Sequence, residues 1–580
     1  MKLIIRQYLA GLRERNELDA VLPDLLSQMG LTVYTRPGRG TRQHGVDVGA
    51  VGSIGGGPEK VYVFSVKSGD LTRKEWDNSS VQSLRPSLHE IIDAYIPNLL
   101  PVEHRDKEVV ICPTFGGDVQ EQVRSQFNGF MTKNSDAGKI SFEEWNGDKL
   151  ASLIQSHFLH EDLMAEAVRG DLRKALALLD EPDASYGYFA SLVDSISSSC
   201  HNDVDRVRAL RQLSVCLWIL FSWSREANTL ECAYRASELA LLRAWNLYRT
   251  FADKESKASA DATDSFVAMF QCYRQITSAY LEKIAPHLQH EHALSASVRG
   301  GATIDVNLKL FDLLGRLAIG GIWAFSAALA RREDDPDREL LLEEVAASVT
   351  AIRWCIEANP TLNSPLKDNQ AIEIGLVAYL LLFNGDGQKV LRAWFGEMLI
   401  RIRFAFATNE KYPTILSSYS ELLDHPATKE QKYREKVTSA GILYPVLAHI
   451  ATILADENAF TAVVALQKQF LSHCNFQLWF PDDATEENLY TNSELHGIAL
   501  TDLNLDSGLE KFGELITAEV AQFPQCFELS CVKHGWWPLI FVACRHFRLP
   551  VPPNLLQMHG TTGGTSSEEE PHETSGAAPS

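Results

Sequence analysis

Near residue 165 the hydrophobic periodicity of this chain changes, and the change limits what it can fold into. Upstream, short apolar runs of period two alternate with amphipathic stretches of period 3.6. Downstream, the 3.6 period continues with few breaks to about Arg548. Period two belongs to a strand with distinct faces, and period 3.6 to a helix with one apolar stripe. The expected fold class is therefore an α/β N-terminal domain, with a central mixed sheet flanked by helices, followed by a large all-α helical region. A chain of 580 residues also exceeds one hydrophobic core, so separate domains are expected. We read 1–164 as the α/β domain and 165–550 as the helical region, with room for two subdomains. Residues 551–580 are read as a disordered acidic tail, too polar and too rich in glycine and serine to bury a core.

Within the first domain, apolar residues recur at helical spacing over 18–29, and Gly30 is a natural stop. Pro23 marks the start of that helix or a kink in it. Strands are expected at 31–34, 46–51, 61–66, 109–113 and 139–142, the second and third joined as a hairpin by SIGGGPE. Helices are expected at 86–96, at 118–130 and after Asn146-Gly147. Beyond 165 long helices follow one another from 207 to 454 without a repeat of fixed period, and charged stretches at 331–338 and 409–436 suggest subdivision.

The net charge is −21, which argues against nucleic acid as a partner until its distribution is considered. Residues 1–160 hold 18 Lys and Arg against 20 Asp and Glu, and the remainder 36 against 55. The acidity belongs to the C-terminal part, leaving the first domain able to present a basic face. Ten scattered cysteines imply a reducing, cytoplasmic setting. The apolar stretches at 213–223 and 317–330 are too short to cross a bilayer, and 437–455 contains Thr438, Ser439, Pro445, His449 and Thr452, so no membrane span is expected.

One constellation in the first domain carries chemistry. Asp19 lies in the first helix, the loop RPGRGTRQHG precedes Gly45-Val46-Asp47, and the strand VYVFSVK ends in Ser65-Val66-Lys67. Alternation puts Ser65 and Lys67 on one face of that strand and Tyr62, Phe64 and Val66 on the other, the aromatic face being the one suited to burial. This order resembles the PD-(D/E)xK restriction-endonuclease-like nucleases, above all their Mrr-like and Holliday-junction-resolvase-like branch. These show an acidic residue on a first helix ending in a glycine turn, then G-x-D, then (E/Q)-x-K on the next strand. The resemblance covers the first domain only.

It implies that Asp47 and Ser65 hold Mg²⁺ as cofactor and that Asp47, Ser65, Lys67 and Asp19 form the catalytic set. Lys67 would steady the charge that builds on a phosphate. Ser65 departs from the family, whose Glu or Gln offers a better ligand; Mg²⁺ nevertheless keeps several waters and needs few carboxylates. Arg36, Arg39, Arg42 and His44 crowd the loop before Asp47, and Arg73 and Lys74 follow Lys67, where DNA phosphates would need counter-charges. The segment ISFEEWNGDKLASLIQSH resembles the closing element of nuclease domains fused to helical modules in bacterial defence proteins.

The function so implied is a Mg²⁺-dependent DNA endonuclease of prokaryotic antiviral defence. Its helical region would sense a trigger, bind a protein partner or drive homo-oligomerisation. The alternative is a degenerate nuclease-fold scaffold that binds nucleic acid or protein. Cys526, Cys531, His534, Cys544 and His546 lack a C-x₂-C pair and sit beside Trp536, Trp537 and Phe541, so a packed core is expected there rather than zinc. SIGGGPEK lacks the ending of a phosphate-binding loop.

Overall fold

The computed structural model describes residues 2, 5–6, 9, 18–36, 44–77, 83–157, 166–298, 302–383, 385–492, 494 and 496–562, with only the backbone of 19–20, 166–167 and 558–562. Helix α1 (Asp19–Gln28) runs through Pro23 and closes where Gly30 adopts φ +88°, letting Leu31 N–H reach the Leu26 carbonyl at 3.0 Å. Strands β1 (Thr32–Thr35), β2 (Val48–Gly52) and β3 (Lys60–Lys67) follow. The turn α2 (Arg73–Trp76) and α3 (Leu84–Glu90) come next, α3 continuing as a wider π-type helix over Ile91–Leu99. Then come β4 (Val109–Phe115), α4 (Glu121–Asn134), β5 (Ile140–Phe142) and α5 (Gly147–His157).

The strands form one mixed sheet in the order β1-β2-β3-β4-β5. The first two pairings are antiparallel and the last two parallel, which makes β3 central. Val61 and Val63 of β3 pack with Val109, Ile111, Trp76, Leu84, Leu88 and Phe127 under α2, α3 and α4. On the opposite face Phe64 meets Trp145 edge-on at 5.0 Å, and α1 packs on α5. Both faces of β3 are thus covered, and the expectation that only its aromatic face is buried is corrected. A central strand flanked by helices on each side has no solvent face, which is why its sequence is nearly continuous in apolar residues.

The chain divides into two compact units, 1–280 and 281–580. The first contains the sheet together with α6 (Glu166–Ala177), α7 (Pro182–Ser198), α8 (Asp203–Glu226), α9 (Leu230–Tyr248) and most of α10 (Lys257–Ile284). Arg211 of α8 donates to Gln28 Oε1 at the end of α1 at 3.1 Å, so these helices belong with the sheet.

The second unit is largely helical. Its α11 (Thr303–Leu329) is long and apolar enough to cross a membrane, but 83% of its most apolar window is buried inside the protein. Arg316 of α11 and Arg545 share the Asp312 carboxylate at 2.6 and 2.5 Å, while Arg548 pairs with buried Glu373. Two expectations are corrected in this unit. Four strands of two or three residues interrupt the helices, Ala440–Gly441 with Asn475–Phe476 and Leu478–Phe480 with Ile498–Leu500. Pairs this short leave no periodicity to read. Residues 551–562, assigned above to a disordered tail, instead include the helix Pro553–Thr562. Val551, Leu555 and Leu556 are buried, and Asn554 donates to the Phe523 carbonyl at 3.0 Å.

Candidate active site

Asp47 is positioned by its turn. His44 and Gly45 both adopt positive φ, at +48° and +80°, and a β-carbon on Gly45 would lie 2.2 Å from the Ser87 carbonyl oxygen of α3. Only glycine allows the turn to pass this close to the helix backbone. Val46 then enters the core, and the Asp47 N–H donates to the Phe64 carbonyl at 2.8 Å. Its Oδ2 accepts from the Val66 N–H at 2.7 Å. Val66 is the residue between Ser65 and Lys67, so the aspartate is tied to the end of β3 where both lie. Because β2 runs antiparallel to β3, the start of one strand meets the finish of the other. Asp47 and Lys67 therefore occupy the same end of the sheet, the carboxyl end of the parallel strands β3, β4 and β5, where open α/β sheets place their ligands.

Ser65 and Lys67 continue the row begun by Val61 and Val63. Ser65 is 1% exposed, and its hydroxyl finds no hydrogen-bond partner among the described residues. A buried hydroxyl without a partner costs free energy. Lys67 is 7% exposed at the last position of β3, level with Phe115 of β4. It is not a solvated edge lysine.

Of the other residues singled out, Asp19 opens α1, but its side chain lies outside the described residues, as do Arg39 and Arg42. Arg36 follows β1 and pairs with Asp264 of α10 at 2.8 Å. Arg73 and Lys74 are exposed on the turn after β3, which Thr72 caps by accepting from Lys74 N–H at 3.2 Å.

Three further carboxylates at this end of the sheet escaped the sequence reading. Asp70 Oδ1 accepts from Asp118 N–H at 2.9 Å. Asp118 pairs with Arg6, and Asp148 with Lys2 at 2.9 Å, which holds the Asp148 carboxyl below its ordinary pKa. Glycines 69, 117 and 147 link the loops in series, Gly117 N–H to Gly69 O at 2.9 Å and Gly147 N–H to Gly117 O at 2.8 Å. Their recurrence after successive strands was the available signal.

Among the described residues no group of three or more His, Cys, Asp and Glu side chains is placed to hold a metal ion. Cys526, Cys531 and Cys544 are fully buried, in keeping with a packed core. Among the described residues, the sequence-expected ligands at the end of β3 are the Asp47 carboxylate and the Ser65 hydroxyl. That fits a magnesium ion relying on water and substrate oxygens, and does not fit a cage of several carboxylates. Comparison with protein-family models, curated proteins and solved structures finds no match for this chain.

Proposed function

We propose that residues 1–164 form a restriction-endonuclease-like nuclease domain and that the protein is a Mg²⁺-dependent DNA endonuclease of prokaryotic defence, acting in the cytoplasm. The observation that carries this reading is the bond from Val66 N–H to Asp47 Oδ2, which anchors a carboxylate beside a Ser-x-Lys strand end. Asp47 and Ser65 are the residues that would hold the ion, and Lys67 would balance charge on the scissile phosphate. Mg²⁺, when bound, supplies a Lewis acid for phosphodiester hydrolysis. Exposed Arg73 and Lys74 are suited to backbone phosphates close to that strand end. The helices after Glu166 would carry the trigger, a protein partner or self-association.

The test is conversion of supercoiled plasmid to nicked and linear forms with and without Mg²⁺, for wild type, Asp47→Asn and Lys67→Met. Cleavage by wild type alone supports the reading. Metal-dependent cleavage retained by both variants would move the site elsewhere.

A second reading, a degenerate scaffold that binds nucleic acid or protein, is favoured by one observation: Ser65 stands where the resembling family has Glu or Gln. On that reading wild type leaves the plasmid intact with either Mg²⁺ or Mn²⁺.

A further inference from the structure

The sequence places Arg36 where a DNA phosphate would need a counter-charge, yet in the folded protein it already has an anion. Its guanidinium lies 2.8 Å from Asp264, 228 residues further along the chain on α10. Asp264 belongs to an acidic row with Asp261, which faces Arg211 of α8 at 3.5 Å. Asp24 of α1, one helical turn before Gln28, is 6% exposed in the field of the same groups. Two arginines, Arg36 and Arg211, thus stand among three carboxylates, Asp24, Asp261 and Asp264. The patch has surplus negative charge at the residue where DNA would need positive charge. Arg36 and Asp264 are 39% and 42% exposed, so the pair is in contact with solvent.

We propose that Asp264 is a built-in competitor for the DNA phosphate contacted by Arg36, so that α10 holds down nucleic-acid affinity until the pair opens. This rests on the nuclease reading above and adds a regulatory contact to it. The Asp264 carboxylate takes an N–H of the guanidinium that a phosphate oxygen would otherwise accept from, and its negative charge repels the phosphate. A half-exposed pair is weak enough to be exchanged by a ligand bearing many charges. A partner or trigger that shifted α10 would remove the Asp264 carboxylate from Arg36 without touching Asp47, Ser65 or Lys67.

The test is fluorescence anisotropy with a labelled 30-base-pair duplex in EDTA, so that cleavage cannot consume the probe, beside the plasmid assay in Mg²⁺. Asp264→Asn is expected to bind about fivefold more tightly than wild type. Arg36→Gln should bind more weakly, and the double variant should match Arg36→Gln, because the gain requires the arginine. Glu255→Gln, an exposed acid removed just before α10, should stay within twofold of wild type and so separates contact from net charge. Unchanged binding by Asp264→Asn, or an equal gain in the Arg36→Gln background, overturns the inference while leaving wild-type cleavage as evidence for a nuclease. Absence of both binding and cleavage in every variant overturns the two together.

Discussion

The carboxylate of Asp47 is bonded to the backbone amide of Val66 at 2.7 Å, and this joins the start of β2 to the last residues of β3 by a side chain rather than by the sheet ladder. The ladder ends at Val48 opposite Phe64. Beyond it the aspartate continues the connection, and the residue is partly exposed. A carboxylate fixed in this way pays little conformational entropy when it takes a second ligand.

Lys67→Met keeps the buried aliphatic stem and removes the charge. On the nuclease reading, plasmid cleavage should fall by roughly 10²–10³-fold, the usual loss when a group stabilising transition-state charge is removed. Thermal unfolding should remain cooperative, since the substitution leaves the packing beside Phe115 filled. Lys67→Ala is the poorer test because it also opens a cavity at a position that is 7% exposed.

Ser65 gives a readout that needs no activity. Its orphaned hydroxyl is a cost in the metal-free protein, so Ser65→Ala in EDTA should be neutral or up to about 1 kcal/mol more stable in urea unfolding. Adding Mg²⁺ should stabilise wild type more than Ser65→Ala, and Ser65→Glu should respond at lower Mg²⁺ than wild type. Identical metal responses in all three would remove Ser65 from the ligand set.

Gly45→Ala tests the turn itself. The new methyl would need φ near +80° and would collide with the Ser87 carbonyl, so destabilisation by about 2–4 kcal/mol is expected from denaturant curves. Gly55→Ala also sits at positive φ but has open space around it, and should cost only about 1 kcal/mol. Equal costs at the two glycines would show that strain alone, and not the approach of α3, sets the requirement.

The pH dependence of stability should carry two opposed contributions. Burial raises the pKa of Asp24 to about 6 from 3.8, against the lowering fields of Arg211 and Arg36, with Asp264 and Asp261 adding to the rise. The native state then holds the proton more tightly than the unfolded chain. This contribution is fully present below about pH 4 and is lost as pH rises to about 6, a change on the order of 3 kcal/mol that Asp24→Asn should abolish. His449, buried in the second unit, is pushed down to about 4 from 6.5 by desolvation. Its contribution has the reverse sign, present above pH 6.5 and lost as pH falls through about 4, and His449→Phe should flatten it. Urea midpoints between pH 4 and 7 for the two variants should therefore depart from wild type in opposite directions.

Most elements of the first domain were legible because local sequence decides them. The apolar run of β3, the stop at Gly30 and the helix after Asn146-Gly147 all fall where periodicity and turn chemistry put them, and β3 and β4 are each slightly longer than expected. The adjacency of Asp47 to the strand end was legible through the hairpin, since antiparallel return brings the two together whatever packs around them. Burial of the Ser65 and Lys67 row was not legible. It depends on α2, α3 and α4 covering that face, and a strand's own sequence does not say how many of its faces are covered. The short strands of the second unit and the burial of residues 551–556 were hidden for the same reason, because each acquires its structure from a partner remote in sequence. Arg36 shows the division most clearly. Its sequence determined a cation in a basic loop, while only the tertiary structure decided that it pairs with Asp264, since a charge's neighbours are set by distance in space and not along the chain.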